Sequence, residues 1–217
     1  MLKGFIIMTT NKLFFLSCAL AFCLSACRQT SNSCFEIGSV ACIDGLYAPW
    51  DSLEDDTAFR CFADSSNFYF YYEVRDSTIT LVPNYVGESD VEVEDRVEIF
   101  FSPVSSMDEY YVAEIDPLGR VLDYKGLYYR HLDYGWDFSS MSLIGVLTQS
   151  GYVVAGKIGL GELEALGLNL GDGFYMGVFR ADYRPDMSVN WYSAISTDDK
   201  SPDFHKPDML FKAKINK

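Results

Sequence analysis

Residues 67–103 constrain the fold more than any other stretch. The run Asn67-Phe68-Tyr69-Phe70-Tyr71-Tyr72-Glu73-Val74-Arg75 is dense in aromatic and β-branched side chains. Such a run favours a strand over a helix. Residues 97–101, Val-Glu-Ile-Phe-Phe, repeat the pattern. Between them, residues 86–95 carry Glu88, Asp90, Glu92, Glu94 and Asp95. The stretch therefore reads strand, acidic connection, strand, with each strand able to bury one face.

The rest of the chain follows the same grammar. Short strands are expected near 42–45, 59–63, 110–116, 120–124, 151–158, 173–182, 189–194 and 209–215, separated by turn signals such as Pro117 and Gly119. Residues 46–56, 125–136 and 196–207 read as loops. One helix of about two turns fits 160–168. About ten short strands and no internal repeat predict an all-β antiparallel sandwich, jelly-roll-like, with one short helix.

The N-terminus reads as a leader. Lys12 precedes an apolar stretch from Leu13 to Leu24, too short for a mature spanning helix. It ends in Leu24-Ser25-Ala26-Cys27, which resembles the lipobox of bacterial lipoproteins, whose cysteine takes the lipid. The expected organisation is a signal peptide over 1–26, a lipidated tether over 27–41, and a folded module over 42–217, with ordered structure beginning near Phe35. The expected location is the bacterial outer membrane, on its periplasmic or cell-surface face. Cys34, Cys42 and Cys61 remain in an oxidising compartment, where one disulfide among them is expected.

Charge narrows the partners. The chain carries a formal −14, and loss of Lys3 and Lys12 with the leader takes it to −16. Nucleic acid is excluded, because its phosphates need Lys and Arg. Acidic polysaccharides are disfavoured on the same ground. The 16 Phe, 15 Tyr and 3 Trp supply sheet-forming side chains and also flat faces on which sugars stack.

An ordered set of strings resembles carbohydrate-binding modules of family 9, which are related to DOMON domains. It comprises Ile43-Asp44-Gly45 with Trp50, the run from Phe68 to Asp76, Glu94-Asp95-Arg96-Val97-Glu98-Ile99-Phe100-Phe101, Glu114-Ile115-Asp116-Pro117-Leu118-Gly119, Gly151 to Ile158, and Pro202-Asp203-Phe204-His205-Lys206-Pro207. The resemblance spans about residues 42–216. It implies a β-sandwich that grips a glycan between two aromatic side chains, often with structural calcium. Phe204 stands at one of those two positions. Residues 90–94 hold no aromatic for the other.

The expected function is non-catalytic binding of a neutral oligosaccharide or polysaccharide by a monomeric, membrane-anchored module that serves polysaccharide degradation or uptake. The expected carbohydrate-binding residues are Phe204, His205, Trp191, Tyr129 and Arg180. Phe204 could instead plug the sandwich, Trp191 could enter the core, and the Tyr128–His131 cluster could be loop packing. Arg180, on an alternating strand, faces solvent or a pocket. No catalytic residue and no required cofactor is expected. Structural calcium on the acids of 88–95 stays open beside their reading as a solvated loop. Two other classes remain. A glycoside hydrolase needs a carboxylate pair such as Glu98 with Glu114. A haem module of DOMON type needs axial ligands, for which Met176 and His131 are available.

Overall fold

The computed structural model describes residues 34–38, 40–48, 53–196 and 203–216. The leader, the box ending in Cys27, Trp50 and Pro202 lie outside the described residues. Thirteen strands form one curled sheet. They are β1 (Phe35–Ile37), β2 (Ala41–Ala48), β3 (Leu53–Ala63), β4 (Asn67–Arg75), β5 (Arg96–Ser102), β6 (Glu109–Ile115), β7 (Val121–Leu127), β8 (His131–Asp133), β9 (Ser142–Leu147), β10 (Gly151–Gly159), β11 (Phe174–Tyr183), β12 (Val189–Ser193) and β13 (Phe211–Ile215). Helix α1 (Leu160–Ala165) joins β10 to β11.

The strand order is β8-β7-β6-β5-β11-β12-β2-β3-β4-β10-β9, and β13 pairs with both β1 and β11. All pairs are antiparallel except β1 with β13. Curling folds the two ends of this order over each other as the layers of a sandwich. Phe68, Phe70, Tyr72 and Val74 of β4 and Tyr152 and Val154 of β10 face Val97, Ile99 and Phe101 of β5 and Met176 and Val178 of β11. Phe68 meets Phe101 edge-on at 5.7 Å, and the Tyr72 hydroxyl donates to the Glu98 carbonyl at 2.8 Å. Each such buried aromatic or aliphatic side chain contributes roughly 1.5–3 kcal/mol.

β4 alternates buried and half-exposed residues, as a sheet with one wet face should. β5 does not alternate, because every one of its seven residues is buried. Its outward residues lie under a second apolar layer. Phe100, Tyr110, Val112, Tyr124 and Phe179 on the outer face are covered by Phe204, Met209 and Leu210 from the segment before β13. This covered outer face is where the candidate site forms.

Several expectations are corrected. Residues 46–48 and 53–56 are strand rather than loop. β2 carries on past a bulge between Asp44 and Leu46, where Gly45 takes a φ of 81°, and β3 begins at Leu53. β1 lies within the stretch assigned to the tether, paired with β13. Strand β9 was not foreseen, since its interior residues are half-exposed and lack a strong alternation. The 88–95 segment is a 3-10 turn over Glu88–Val93 followed by two fully buried acids. Glu94 accepts from the Val82 amide at 2.5 Å and pairs with Arg120 at 2.8 Å. Asp95 accepts from the Thr80 and Tyr183 amides, both at 2.6 Å. These carboxylates fasten the connection to the sheet, satisfying amides that would otherwise be buried without partners.

No disulfide joins Cys34, Cys42 and Cys61. Ala41 pairs with Cys61 and Cys42 with Arg60, so Cys42 and Cys61 point to opposite faces of the β2–β3 ladder. Cys61 enters the inner core, and Cys42 does not.

Candidate functional site

A cavity of about 330 Å³ opens on the outer face of β5, β6 and β7, between β12 and the segment 203–205. Its floor is polar. Arg96 and Glu98 project from β5, and Glu114 from β6 stands directly opposite Glu98 in the register. Arg96 Nε lies 2.9 Å from Glu98 Oε1 and 2.6 Å from Glu114 Oε2. One guanidinium thus faces two carboxyls. The Tyr124 hydroxyl donates to Glu114 Oε1 at 2.8 Å.

One wall is aromatic. Trp191 projects from β12, half-buried, with the Arg96 guanidinium carbon 5.5 Å from its ring centre. Phe204 meets Trp191 edge-on at 5.4 Å and stacks on Phe179 at 4.2 Å. His205 Nδ1 hydrogen-bonds the Tyr110 hydroxyl at 2.8 Å. The rim is an ion pair between Arg130 and Asp203 at 2.7 Å, joined by the Tyr129 hydroxyl, which donates to Asp203. Tyr134, half-exposed, leans over Tyr124 at 5.1 Å.

Electrostatics follow from burial. The Glu98 carboxyl is pushed up to about 8 by burial and by Glu114, against the pull of Arg96. Burial works against the Arg96 charge, but Glu114 and Glu98 outweigh it and hold the guanidinium protonated. His205 is pushed down to about 3 by burial and by Arg130, so it stays neutral. Outside the cavity, burial pushes Glu94 and Asp95 up to about 7.

A pH dependence of stability follows. A carboxyl whose folded value is raised contributes stability that is fully present below its unfolded value near 4 and is lost as pH rises through the folded value. Glu94, Asp95 and Glu98 place that loss between about pH 4 and about pH 8, and above about pH 6.5 no opposing change in His205 masks it. His205 acts oppositely, its contribution being lost as pH falls from about 6.5 towards 3. The melting temperature should therefore drop by at least about 4 °C between about pH 6 and about pH 9, and Glu98→Gln should flatten that slope. A level profile in differential scanning calorimetry would contradict this.

Of the five residues expected from sequence, Phe204, His205 and Trp191 line the cavity. Tyr129 stands at the rim and reaches it through Asp203. Arg180 is a correction. It points to the inner side of β11, is 2% exposed, and is bound by Asp55 and Asp76 at 2.6 Å each. The sheet separates it from the cavity. Sequence reasoning missed Arg96 and Tyr124. Glu98 and Glu114 enter the sequence analysis only as the carboxylate pair a glycoside hydrolase would need. The available signal was a charged pair two residues apart inside an apolar strand, with a third charge on the next strand. Met176 sits in the inner core and His131 on exposed β8, so the two do not converge on a haem.

Among the described residues, two groups of three acids bring one oxygen each within 4.8 Å of one another. In Asp76, Asp95 and Asp182, the Arg180 guanidinium already supplies the positive charge. Glu88, Asp123 and Asp137 carry no such cation and offer the hard oxygen donors that calcium prefers.

Two solved structures resemble this one. The crystal structure of a "putative carbohydrate-binding protein" from Bacteroides uniformis superposes with a TM-score of 0.65 at 16% identity, covering 80% of this chain and 85% of that one. A family 9 carbohydrate-binding module from Caldicellulosiruptor kristjanssonii, solved in complex with cellotriose, gives 0.52 at 14% identity, covering 84% of this chain and 93% of that one. The three chains share one fold. No protein-family model matches the sequence, and no curated protein does. The all-β sandwich with one short helix expected from the strand pattern is the fold observed.

Proposed function

We propose that this chain is a non-catalytic module that binds an oligosaccharide free of acidic groups in the cavity between Trp191 and the Arg96–Glu98–Glu114 floor. The observation that carries the reading is the pairing of an aromatic ring with fixed planar polar groups in one concave site. A ring receives the C–H face of a pyranose, and planar carboxyl and guanidinium groups receive its hydroxyls. The volume lies at the lower end of the roughly 300–1,000 Å³ usual for ligand sites, which suits a few sugar units. The cellotriose complex of the fold neighbour supports the ligand class.

Hydrolysis fits the geometry poorly. A glycosidase sets two carboxyls on either side of the scissile bond. Here Glu98 and Glu114 sit side by side on the same floor, both against one Arg96 nitrogen, rather than on opposite sides of a bound linkage.

The test is a glycan array followed by calorimetry. Wild-type protein should bind with micromolar to millimolar dissociation constants, and Trp191→Ala should weaken binding at least about tenfold. No binding at millimolar oligosaccharide would reject the function. Binding equal in Trp191→Ala would keep the function and reject the site.

The module is displayed on a membrane through lipid on Cys27, a reading supported by the Leu24–Cys27 box and the apolar run before it. There it would hold glycans near hydrolases or transporters. Cys27→Ser should move the protein from the membrane to the soluble fraction. Unchanged membrane fractionation would remove the anchor from this account.

A further inference from the structure

The cavity is lined by two more carboxyls than cations. Glu92, Glu98, Glu114 and Asp203 line the cavity against Arg96 and Arg130. Asp203 is matched by Arg130. Arg96 alone faces both Glu98 and Glu114. His205 adds no charge, because burial keeps it neutral. Glu114 Oε2 is buried and accepts no hydrogen bond, since Arg96 Nε approaches it at 2.6 Å outside hydrogen-bonding geometry. Glu114 as a residue is only 6% exposed. A buried carboxylate oxygen without a hydrogen bond is costly, and Glu114 lines the cavity.

We infer that the cavity takes a sugar carrying a primary amine in preference to neutral or acidic sugars, its ammonium group seated beside Arg96 on the cavity side of Glu98 and Glu114. This rests on the glycan-binding reading above and names the ligand class within it. A hydroxyl could satisfy Glu114 Oε2, but it leaves the carboxyl pair one positive charge short. An ammonium supplies both the hydrogen bond and the charge. Without ligand Glu98, pushed up to about 8 by burial and by Glu114, keeps a proton at neutral pH. An ammonium replaces that proton, which leaves to solvent. The balance is one protonated amine in, one proton out, with no covalent bond made or broken.

The experiment compares a glucosamine trimer, its N-acetylated counterpart and cellotriose by calorimetry. About 0.3 M salt shrinks the Debye length to about 6 Å and suppresses attraction to the acidic surface. The glucosamine trimer should bind about tenfold tighter than either other ligand. Its heat should change with the ionisation enthalpy of the buffer, reporting release of up to one proton. Glu114→Gln should erase the preference. Equal or tighter binding of cellotriose or the acetylated trimer overturns this inference and leaves the glycan-binding reading standing. So does a preference that persists in Glu114→Gln, which would place the amine on the outer surface. Failure of all three ligands to bind at millimolar concentration rejects both. If Glu114→Gln does not fold, the wild-type ratio and the proton count decide.

Discussion

Arg180→Ala is expected to lower the unfolding free energy by about 3–5 kcal/mol. The guanidinium is 2% exposed and reaches Asp55 of β3 and Asp76 after β4 at 2.6 Å each, with Asp182 of β11 at 3.6 Å. It therefore ties the β3–β4 layer to β11 at one end of the sandwich. Removing it leaves the Asp55 and Asp76 carboxylates with no counter-charge, although Asp182 keeps Arg184 at 2.7 Å, and that penalty exceeds the worth of the pair itself. Arg75, whose side chain is 68% exposed and 3.9 Å from Asp56, provides the contrast. Arg75→Ala should change stability by no more than about 0.5 kcal/mol. Urea denaturation of the two variants side by side tests the claim, and equal midpoints would refute it.

Arg96→Ala is expected to abolish measurable glycan binding, a loss of about a hundredfold or more. The same side chain is the one cation against Glu98 and Glu114, holds the Glu92 carbonyl at 2.8 Å and lies over Trp191. Its loss removes a ligand donor and sets two carboxyls face to face, so the variant should also fold better in mild acid than at neutral pH. Arg96→Lys keeps the charge without the planar fork and should recover stability more fully than binding. Wild-type affinity in Arg96→Ala, with circular dichroism showing an intact sheet, would remove the floor from the site.

Much of the fold is legible because its strands announce themselves locally. The aromatic run of β4 occupies the expected residues Asn67–Arg75, and β6, β10 and β11 fall within about two residues of their expected bounds. The site is less legible, for a reason visible in β5 and β11. A charged residue in an alternating strand is ordinarily assigned to solvent. In β5 the outward residues Arg96 and Glu98 are buried under the 203–210 segment, which arrives from about a hundred residues later in the chain. In β11 the relation inverts. Arg180 points inward to a buried ion cluster, while Phe179 and Ala181 face outward, where Phe204 stacks on Phe179. Alternation gives two faces but does not say which is covered. The Tyr129–Asp203 contact joins residues 74 apart and has no local signature. Phe204 and His205 were legible from the resemblance and from their loop, although Phe204 supports the aromatic wall with one face already spent on Phe179.

The central claim is that the outer-face cavity is the glycan site, and an amide and side-chain NMR titration with oligosaccharide tests it most directly. The Trp191 indole, the Arg96 Nε–H and the amides around Glu98, Glu114 and His205 should shift together and saturate with a single dissociation constant. The β9–β10 edge on the far layer should not move. Saturable shifts confined to β9, β10 or the Arg180 end of the sandwich, or no shift anywhere at millimolar oligosaccharide, would contradict it.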